Sequence, residues 1–285
     1  MRQAILITAY HDFSQLQQLV DYFDSDFELF IHIDRRCELP DLRSTHSNLH
    51  VFHRYRVPWG SVNHLHAILL LMREAHRYSD LEYFHLVTGS DYPVPAIHIF
   101  KTFCEEHRCN NYIEFFPLPR SSWDGEGGLE RIRYRWLQPW LRPSPHGTAG
   151  YRLTINCVKL QRKLGLLRPF NYFDGKLFGG GTYWSMGREA ISFAIDYLDA
   201  HPDYLRRFRQ TKIAEEICLP TLWANSGLPL TNAPLRYINW GADGFAPRVL
   251  TEADHDRIVA SGALFARKMQ SGTSDRLIQM LKTQQ

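Results

Sequence analysis

Short apolar runs separated by amphipathic stretches organise the first part of the chain. The apolar runs predict buried strands, and the spacing of apolar residues between them predicts helices. Strands are expected at Ala4–Ala9, Glu28–Ile33, Leu49–His53 and Tyr83–Thr88, with helices at about Phe13–Phe23 and Val62–Tyr78. This alternation predicts an α/β fold with a mostly parallel central sheet flanked by helices, whose ligands bind at the carboxyl ends of the strands.

The pattern becomes irregular from about Pro117 to Gly181, where prolines and the glycine-rich stretch Gly125–Gly128 interrupt it. Long loops inside a domain are often functional, so this part is expected to bind a ligand. Regular structure is expected again as a strand at Thr182–Met186, helices at Arg188–Leu198 and Ile213–Asn225, a strand near Leu235–Trp240 and a helix from Thr251. The residues Thr251-Glu252-Ala253-Asp254 resemble a capping box at the start of that last helix.

Length and composition are typical of one folded unit. The 285 residues fit a single domain, with a nucleotide-binding half at about 1–116 and an acceptor-binding and catalytic half at about 117–285. The net charge of +3 argues against a nucleic-acid binder, so any basic site has to be local. No apolar run is long enough for a membrane span. The five cysteines lack CxxC spacing, and reduced thiols in the cytoplasm are the expectation.

Several segments, taken in order, resemble the core-2/I-branching β-1,6-N-acetylglucosaminyltransferases and their xylosyltransferase relatives, glycosyltransferase family 14. They are Leu6-Ile7-Thr8-Ala9-Tyr10, Ile31-His32-Ile33-Asp34, Trp59-Gly60-Ser61-Val62, Leu86-Val87-Thr88-Gly89-Ser90-Asp91-Tyr92-Pro93, Gly181-Thr182-Tyr183-Trp184-Ser185-Met186-Gly187-Arg188, Ala214-Glu215-Glu216 and Leu264-Phe265-Ala266-Arg267-Lys268. The resemblance implies a GT-A fold, a UDP-sugar donor and inversion at the anomeric carbon without a metal. Animal members are Golgi membrane proteins with disulfides, whereas this chain looks like a bacterial, cytosolic version.

The acidic pair Glu215-Glu216 matches the family's catalytic segment, and the resemblance implies that Glu216 is the general base. Inverting transfer is a single displacement, so one carboxylate must take the proton of the acceptor hydroxyl. The alternative is that both residues are solvated first-turn carboxylates that favour the helix dipole.

Charge on the leaving diphosphate must also be neutralised. The two Asp-x-Asp patterns, Asp24-Ser25-Asp26 and Asp254-His255-Asp256, do not follow a central strand, so both are interpreted as structural and no metal cofactor is implied. The resemblance implies a pair of cations instead, matched to Arg236 and Lys268. Arg248 and Arg267 are nearby competitors, and Lys268 as an exposed helix residue is the alternative.

The remaining predicted contacts divide between donor and acceptor. Tyr10, Asp34 and Asp91 are expected at the nucleotide, and His32 either assists Asp34 or is a core histidine. A strand-end turn residue is the alternative for Asp34. The expected acceptor-binding residues are Glu114, Arg131, Arg133 and Trp184, with Trp123 and Trp136 as further aromatic candidates, while Trp59 and Trp240 are predicted to lie in the core.

The sequence therefore predicts an inverting transferase that moves N-acetylglucosamine from a UDP-sugar to a hydroxyl of a glycan acceptor. The alternatives are a xylosyltransferase or another UDP-sugar transferase on the same fold, and a non-catalytic nucleotide- or glycan-binding protein. Nucleic acid is not an expected partner. A peripheral contact with a lipid-linked acceptor is compatible with the sequence.

Overall fold

The computed structural model describes residues 1–138, 141, 147–241 and 246–283. The strands are β1 Arg2–Ala9, β2 Phe27–Ile33, β3 Asn48–Phe52, β4 Leu81–Thr88, β5 Asp91–Pro93, β6 Asn111–Ile113, β7 Phe116–Pro117, β8 Phe178–Gly179, β9 Trp184–Gly187, β10 Leu230–Asn232, β11 Arg236–Ile238 and β12 Phe265–Arg267. The helices are α1 Phe13–Val20, α2 Val62–His76, α3 Ile97–Glu106, α4 Asp124–Gly127, α5 Glu130–Arg133, α6 Ala149–Lys163, α7 Arg188–Ala200, α8 Pro202–Arg207, α9 Glu215–Ala224, α10 His255–Ala260 and α11 Asp275–Thr283.

The central sheet has seven strands among the described residues, in the order β10-β6-β9-β4-β1-β2-β3. The strands β4, β1, β2 and β3 are parallel, whereas β9 runs antiparallel to both β4 and β6. The predicted mixed α/β architecture with a mostly parallel central sheet is thereby confirmed. The sheet also joins the two halves of the chain, because β9 lies between β4 and β6.

Alternating residues of the central strands enter two cores on opposite faces of the sheet. On one face Leu6 and Leu86 pack with apolar residues of α2, α7 and α9. On the other, Ile5 and Val87 pack with residues of α1, α3 and α11. Because both faces of β1 and β2 are covered, these strands consist of nearly continuous apolar residues, as buried parallel strands do.

A small second sheet brings the end of the chain to the end of β4. Its order is β11-β12-β5, with β12 antiparallel to β5 and Arg267 directly opposite Asp91. Beyond β12, the amide of Met269 donates to the carbonyl of Ser90 at 2.8 Å, and the amide of Ser271 donates to Asp12 Oδ2 at 2.8 Å. These bonds hold the segment after β12 against the loops that follow β1 and β4.

The structure corrects the sequence prediction for the middle of the chain. The stretch from Pro117 to Gly181 was expected to be irregular, yet it contains the 15-residue helix α6, capped by the Thr148 side chain. Residues 139–140 and 142–146 of this stretch lie outside the described residues. The predicted capping box at Thr251 and Asp254 is confirmed, although it begins a short 3-10 turn that leads into α10.

Candidate active site at the carboxyl ends of the parallel strands

A chain of side chains connects the end of β1 to the start of α9. Thr8 lies on β1, and its Oγ1 is 3.2 Å from Nε2 of His64 in the first turn of α2. The other ring nitrogen of His64, Nδ1, is 2.8 Å from Oε1 of Glu215. Helix α9 therefore begins beside the carboxyl end of β1, where α/β folds bind their ligands.

Glu215 is almost fully buried, at 5% exposure, and its Oε2 has no hydrogen-bond partner among the described residues. Burial alone lowers the pKa of His64, but the carboxylates of Glu215 and Glu216 outweigh it, so the net pKa is raised above the ordinary value. The buried carboxylate of Glu215 thus favours the protonated form of His64.

Glu216, the predicted base, lies next to this pair with 25% of its side chain exposed. Its Oε2 accepts a hydrogen bond from Nη1 of Arg131 at 2.6 Å. Burial raises the pKa of Glu216 to about 7, opposed by Arg131 and assisted by Glu215 and Glu114. A carboxylate that titrates near neutrality is suited to accept a proton from an alcohol and release it again.

Gly180 lies between the backbones of Glu114 and Glu216, and Gly181 lies against the side chain of Glu114. The amide of Gly180 donates to the backbone carbonyl of Glu216 at 3.0 Å, and a Cβ on Gly180 would lie 1.9 Å from the carbonyl oxygen of Glu114. A Cβ on Gly181 would lie 3.1 Å from Oε2 of Glu114. The structure thus brings together Glu114, Arg131 and Glu216, three of the predicted site residues.

The other two predicted acceptor residues, Arg133 and Trp184, lie elsewhere. Arg133 forms an ion pair with Glu126 at 3.1 Å, away from Glu216. Trp184 is fully buried, with its ring 5.3 Å from that of Trp223, so it has no face on which a sugar could stack. The acceptor role expected for Trp184 is therefore incompatible with its place in the core.

The exposure of three other tryptophans, Trp59, Trp136 and Trp240, also departs from the expectations, whereas Trp123 stays a candidate acceptor residue. Trp59 and Trp240 were predicted to be core residues, but they are exposed, at 43% and 54%. Trp136 is buried instead, while Trp123 is partly exposed and lies under the Arg131 guanidinium, 4.1 Å from ring centroid to Cζ. Exposure cannot be read from residue type for tryptophan, whose large ring is apolar with one polar tip.

Asp91 is fully buried at the end of β4 and forms two contacts there. Its Oδ2 accepts from the amide and the hydroxyl of Thr88, the hydroxyl at 2.8 Å. Its Oδ1 is 3.2 Å from Nε of Arg267. Arg267 also lies over the ring of Tyr183, 4.7 Å from Cζ to the centroid. Asp91 thus anchors the Arg267 cation beside the end of β4. Its predicted contact with a nucleotide is corrected, because its side chain does not reach the surface.

Arg236 does not occupy the position expected of a phosphate-binding cation. Its side chain is buried, Nη2 donates to the carbonyl of Leu86 at 3.0 Å, and Nη1 donates to that of Pro234 at 2.9 Å. Its guanidinium also packs on Phe265, 4.3 Å from Cζ to the ring centroid. The predicted role of Arg236 is corrected accordingly, because its donors bond backbone carbonyls inside the protein.

Arg248 and Lys268 are two accessible cations on neighbouring segments beside the end of β12. The amide of Lys268 donates to the carbonyl of Arg248 at 3.3 Å, so the two residues are backbone neighbours. Arg248 is exposed, Lys268 is half-buried, and neither forms an ion pair with another described residue. Burial lowers the pKa of His11, and the charge of Lys268 lowers it further, which places Lys268 beside the loop that follows β1.

The predicted nucleotide contacts Tyr10 and Asp34 lie close together at the ends of β1 and β2. Tyr10 is exposed, and the amide of Asp34 donates to the carbonyl of Ala9 at 2.9 Å. Both oxygens of Asp34 accept bonds from the Arg36 side chain, the shortest at 2.6 Å. A nucleotide that bonds Asp34 has to share it with Arg36.

His32 is a core residue, one of the two interpretations that its sequence position allowed. Burial lowers the pKa of His32 to about 4, so the ring is neutral, and Nε2 accepts from the amide of Tyr55 at 3.1 Å. A surface depression of about 560 Å³ lies at the carboxyl end of β3. It is lined by Arg35, Val51, Phe52, His53, Arg54, Leu70 and Glu74. This depression contains neither Glu215 nor Glu216.

Aspartates of both Asp-x-Asp patterns form structural contacts within the protein, as the sequence predicted. Lys101 Nζ lies 2.6 Å from Asp24 Oδ2 and 2.5 Å from Asp26 Oδ2. Asp254 is buried, caps the turn before α10 and pairs with Arg257 at 2.7 Å. Within the described ranges, no group of three or more His, Cys, Asp or Glu side chains is arranged to hold a metal ion.

Comparison with known proteins identifies no family for this chain. No family model matches the chain, and no curated protein matches it. The crystal structure of S. aureus TarS is similar over 40% of this chain and 21% of that one, with 13% identity and a TM-score of 0.28. The chain spans about a fifth of the length of that protein. A likeness of this size carries no argument about fold or function.

Proposed function

We propose that this protein is an inverting glycosyltransferase with a GT-A-like fold, in which Glu216 is the general base. The observation that carries the proposal is the position of Glu216, which follows the His64-bound Glu215 at the edge where parallel strands bind ligands and is held by Arg131 at 2.6 Å. Burial at this position raises the pKa of Glu216 to about 7. Surface carboxylates in a first helical turn have no reason to titrate there. The sequence resemblance to family 14 supports the same residue.

The reaction follows from the groups gathered at this edge. A hydroxyl oxygen of a glycan acceptor attacks the anomeric carbon of a UDP-sugar, the bond from that carbon to the diphosphate oxygen breaks, and the hydroxyl proton passes to Glu216. Arg131 holds the carboxylate in place through its 2.6 Å hydrogen bond. The departing UDP carries the negative charge, which needs cations close to the diphosphate.

Arg248 and Lys268 are the cations we assign to the diphosphate. They replace the pair Arg236 and Lys268 suggested by the sequence, because Arg248 is exposed whereas Arg236 is bonded to carbonyls. Two fixed side-chain cations can neutralise a diphosphate in the way a divalent ion does. We therefore propose that transfer requires no metal, that UDP-N-acetylglucosamine is the donor, and that a glycan hydroxyl is the acceptor.

The decisive experiment compares Glu216→Gln with Glu189→Gln. Both residues lie in the first turn of a helix, but Glu189 is exposed on α7. We expect Glu216→Gln to retain UDP binding by calorimetry and to lose turnover by roughly 10² to 10⁴-fold, with Glu189→Gln unchanged. Unchanged turnover in Glu216→Gln would remove the assigned base. Donor binding without turnover in the wild-type protein, over a broad acceptor panel, would instead identify a non-catalytic binding protein.

Two further measurements test the donor and the metal. Thermal stabilisation by a panel of UDP-sugars distinguishes N-acetylglucosamine from xylose and other sugars, since the cognate donor binds the folded state most tightly. Turnover is expected to persist in EDTA. Complete loss that Mn²⁺ restores would reject the metal-independent mechanism.

A further inference from the structure

The segment from residue 131 to residue 173 concentrates positive charge. It contains nine Lys and Arg residues and no Asp or Glu, in a chain whose net charge is +3. Helix α6, Ala149–Lys163, lies within this segment. Only Thr154 and Val158 of this helix are buried, so most of its surface faces outward.

Large apolar side chains form a stripe along the outer face of α6. At about 100° per residue, Leu153, Leu160 and Leu164 project in nearly the same direction. They are 49%, 55% and 60% exposed, and Leu166 and Leu167 follow the helix with 55% and 57% exposure. Single exposed leucines are ordinary, whereas five exposed leucines on one helix and the turn after it, three of them on one face, indicate an interaction surface.

Cations form a second stripe beside the leucines. Arg152, Lys159 and Lys163 project about a quarter turn from the leucine direction, and all three are exposed. None of them forms an ion pair with any described residue, whereas Arg162, on the inner side, pairs with Glu126 at 3.2 Å and with Glu130. The charge of the outer stripe is therefore available to a partner.

We propose that this surface, named here the α6 surface, binds an anionic lipid bilayer. It consists of Leu153, Leu160, Leu164, Leu166 and Leu167 with Arg152, Lys159 and Lys163. The leucines enter the boundary between headgroups and acyl chains, and the cations contact lipid phosphates, as in other interfacial amphipathic helices. Charge complementarity favours this occupant over a second copy of the chain, because two α6 surfaces facing each other would oppose like charges.

The inner face of α6 places this contact close to the proposed catalytic carboxylate. Ile155 and Val158 pack with Tyr134 and Trp136. Gln161 accepts from the amide of Arg135 at 2.9 Å and donates to its carbonyl at 3.0 Å. The same stretch of chain carries Arg131, which bonds Glu216. The lipid contact itself does not depend on the proposed transferase activity, and its test measures binding alone.

The test is flotation of the full chain with vesicles of phosphatidylcholine, with and without phosphatidylglycerol. We expect binding to the phosphatidylglycerol vesicles only, and weaker binding as salt is added. Each basic residue near an anionic surface contributes about fivefold to binding, so Lys159→Glu/Lys163→Glu is expected to reduce it at least about 25-fold. Leu160→Ser/Leu164→Ser is expected to reduce binding by about tenfold or more.

Matched variants elsewhere on the surface serve as controls. Arg43→Glu/Arg276→Glu changes the net charge equally at two residues whose side chains are 82% and 79% exposed, and Leu39→Ser removes a leucine that is 55% exposed. Both controls should bind vesicles as the wild type does. Circular dichroism and melting temperature verify the fold of each variant.

Two outcomes would overturn the proposal. One is equal binding by the wild type and Lys159→Glu/Lys163→Glu. The other is no binding of the wild type to the phosphatidylglycerol vesicles. Self-association in light scattering that Leu160→Ser/Leu164→Ser abolishes would then show that a second copy covers the α6 surface.

Discussion

Oε2 of Glu216 accepts a hydrogen bond from Nη1 of Arg131 at 2.6 Å, and the same guanidinium lies over the ring of Trp123. This contact opposes the burial and the two neighbouring carboxylates, Glu114 and Glu215, that raise the pKa of Glu216. The balance leaves Glu216 with a pKa of about 7, where it is available both as a base and, once protonated, as an acid.

That balance predicts opposite effects of two substitutions on the pH profile. The low-pH limb of kcat/KM reports ionisation of the base in the free enzyme. Arg131→Gln removes the cation that lowers the pKa of Glu216, so the limb should move to higher pH. Glu114→Gln removes a negative charge that raises it, so the limb should move to lower pH. Arg133→Gln is the control, because Arg133 pairs with Glu126. Shifts in the same direction for the first two variants would contradict the assignment.

The raised pKa of Glu216 also predicts that the buried carboxylate lowers the stability of the fold at neutral and higher pH. Its folded-state pKa of about 7 exceeds the ordinary 4.5, so the folded state holds the proton more tightly. Tighter proton binding stabilises the folded state. This contribution is complete below about pH 4.5 and is lost as the pH rises to about 7. A difference of about 2.5 pH units corresponds to about 3 kcal/mol as an upper bound.

Glu216→Gln should therefore be more stable than the wild type at pH 8, by up to about 3 kcal/mol in urea unfolding, with little difference near pH 4.5. Glu189→Gln, on the exposed first turn of α7, should show no such pH dependence. Equal stability of Glu216→Gln and wild type at both pH values would mean that Glu216 is not held in a desolvated site.

The sequence predicted the central architecture because β1, β2 and β4 are buried on both faces, and strands of this kind consist of nearly continuous apolar residues that are visible in the sequence. The local resemblance also pointed to Glu216, whose role as the base stays a prediction. The sequence could not predict the partners of Arg236, since whether an arginine bonds carbonyls or faces a ligand depends on chain segments far apart in sequence. Helix α6 was missed because its leucines face outward while only Thr154 and Val158 are buried, so apolar spacing does not mark the side that packs on the protein.

The assignment of Arg248 and Lys268 predicts selective loss of diphosphate binding. Either alanine variant should weaken binding of UDP at least about tenfold in calorimetry, since each removes a charged partner of the diphosphate. Binding of uridine, which lacks phosphate, should be unchanged. Lys176→Ala is a control at an exposed lysine. If uridine binding falls in parallel with UDP binding, the two residues stabilise the fold rather than contact the phosphates.

The contact between His64 and Glu215 predicts that removing the Glu215 charge reverses the direction in which the pKa of His64 is shifted. In the wild type the pKa of His64 lies above its ordinary 6.5, although burial alone would lower it. Glu215→Gln removes the largest upward influence, so the pKa should fall below 6.5 in a titration followed by NMR. His76, whose pKa burial lowers, is the control and should titrate identically in both proteins. An unchanged pKa of His64 in Glu215→Gln would show that the 2.8 Å contact is not formed.

Gly180 allows the backbones of Glu114 and Glu216 to approach each other, and an alanine at this position has no room. Its Cβ would lie 1.9 Å from the carbonyl oxygen of Glu114, a backbone atom that cannot rotate away. Gly180→Ala should lower the free energy of unfolding by about 1–3 kcal/mol or more through overpacking, and should reduce kcat because the displaced backbone carries the base. Gly181→Ala is the matched control, because its Cβ would meet only the flexible carboxylate of Glu114, at 3.1 Å. We expect Gly181→Ala to cost less than Gly180→Ala in urea unfolding. The reverse order would mean that the close packing of Gly180 on Glu114 does not exist in the folded protein.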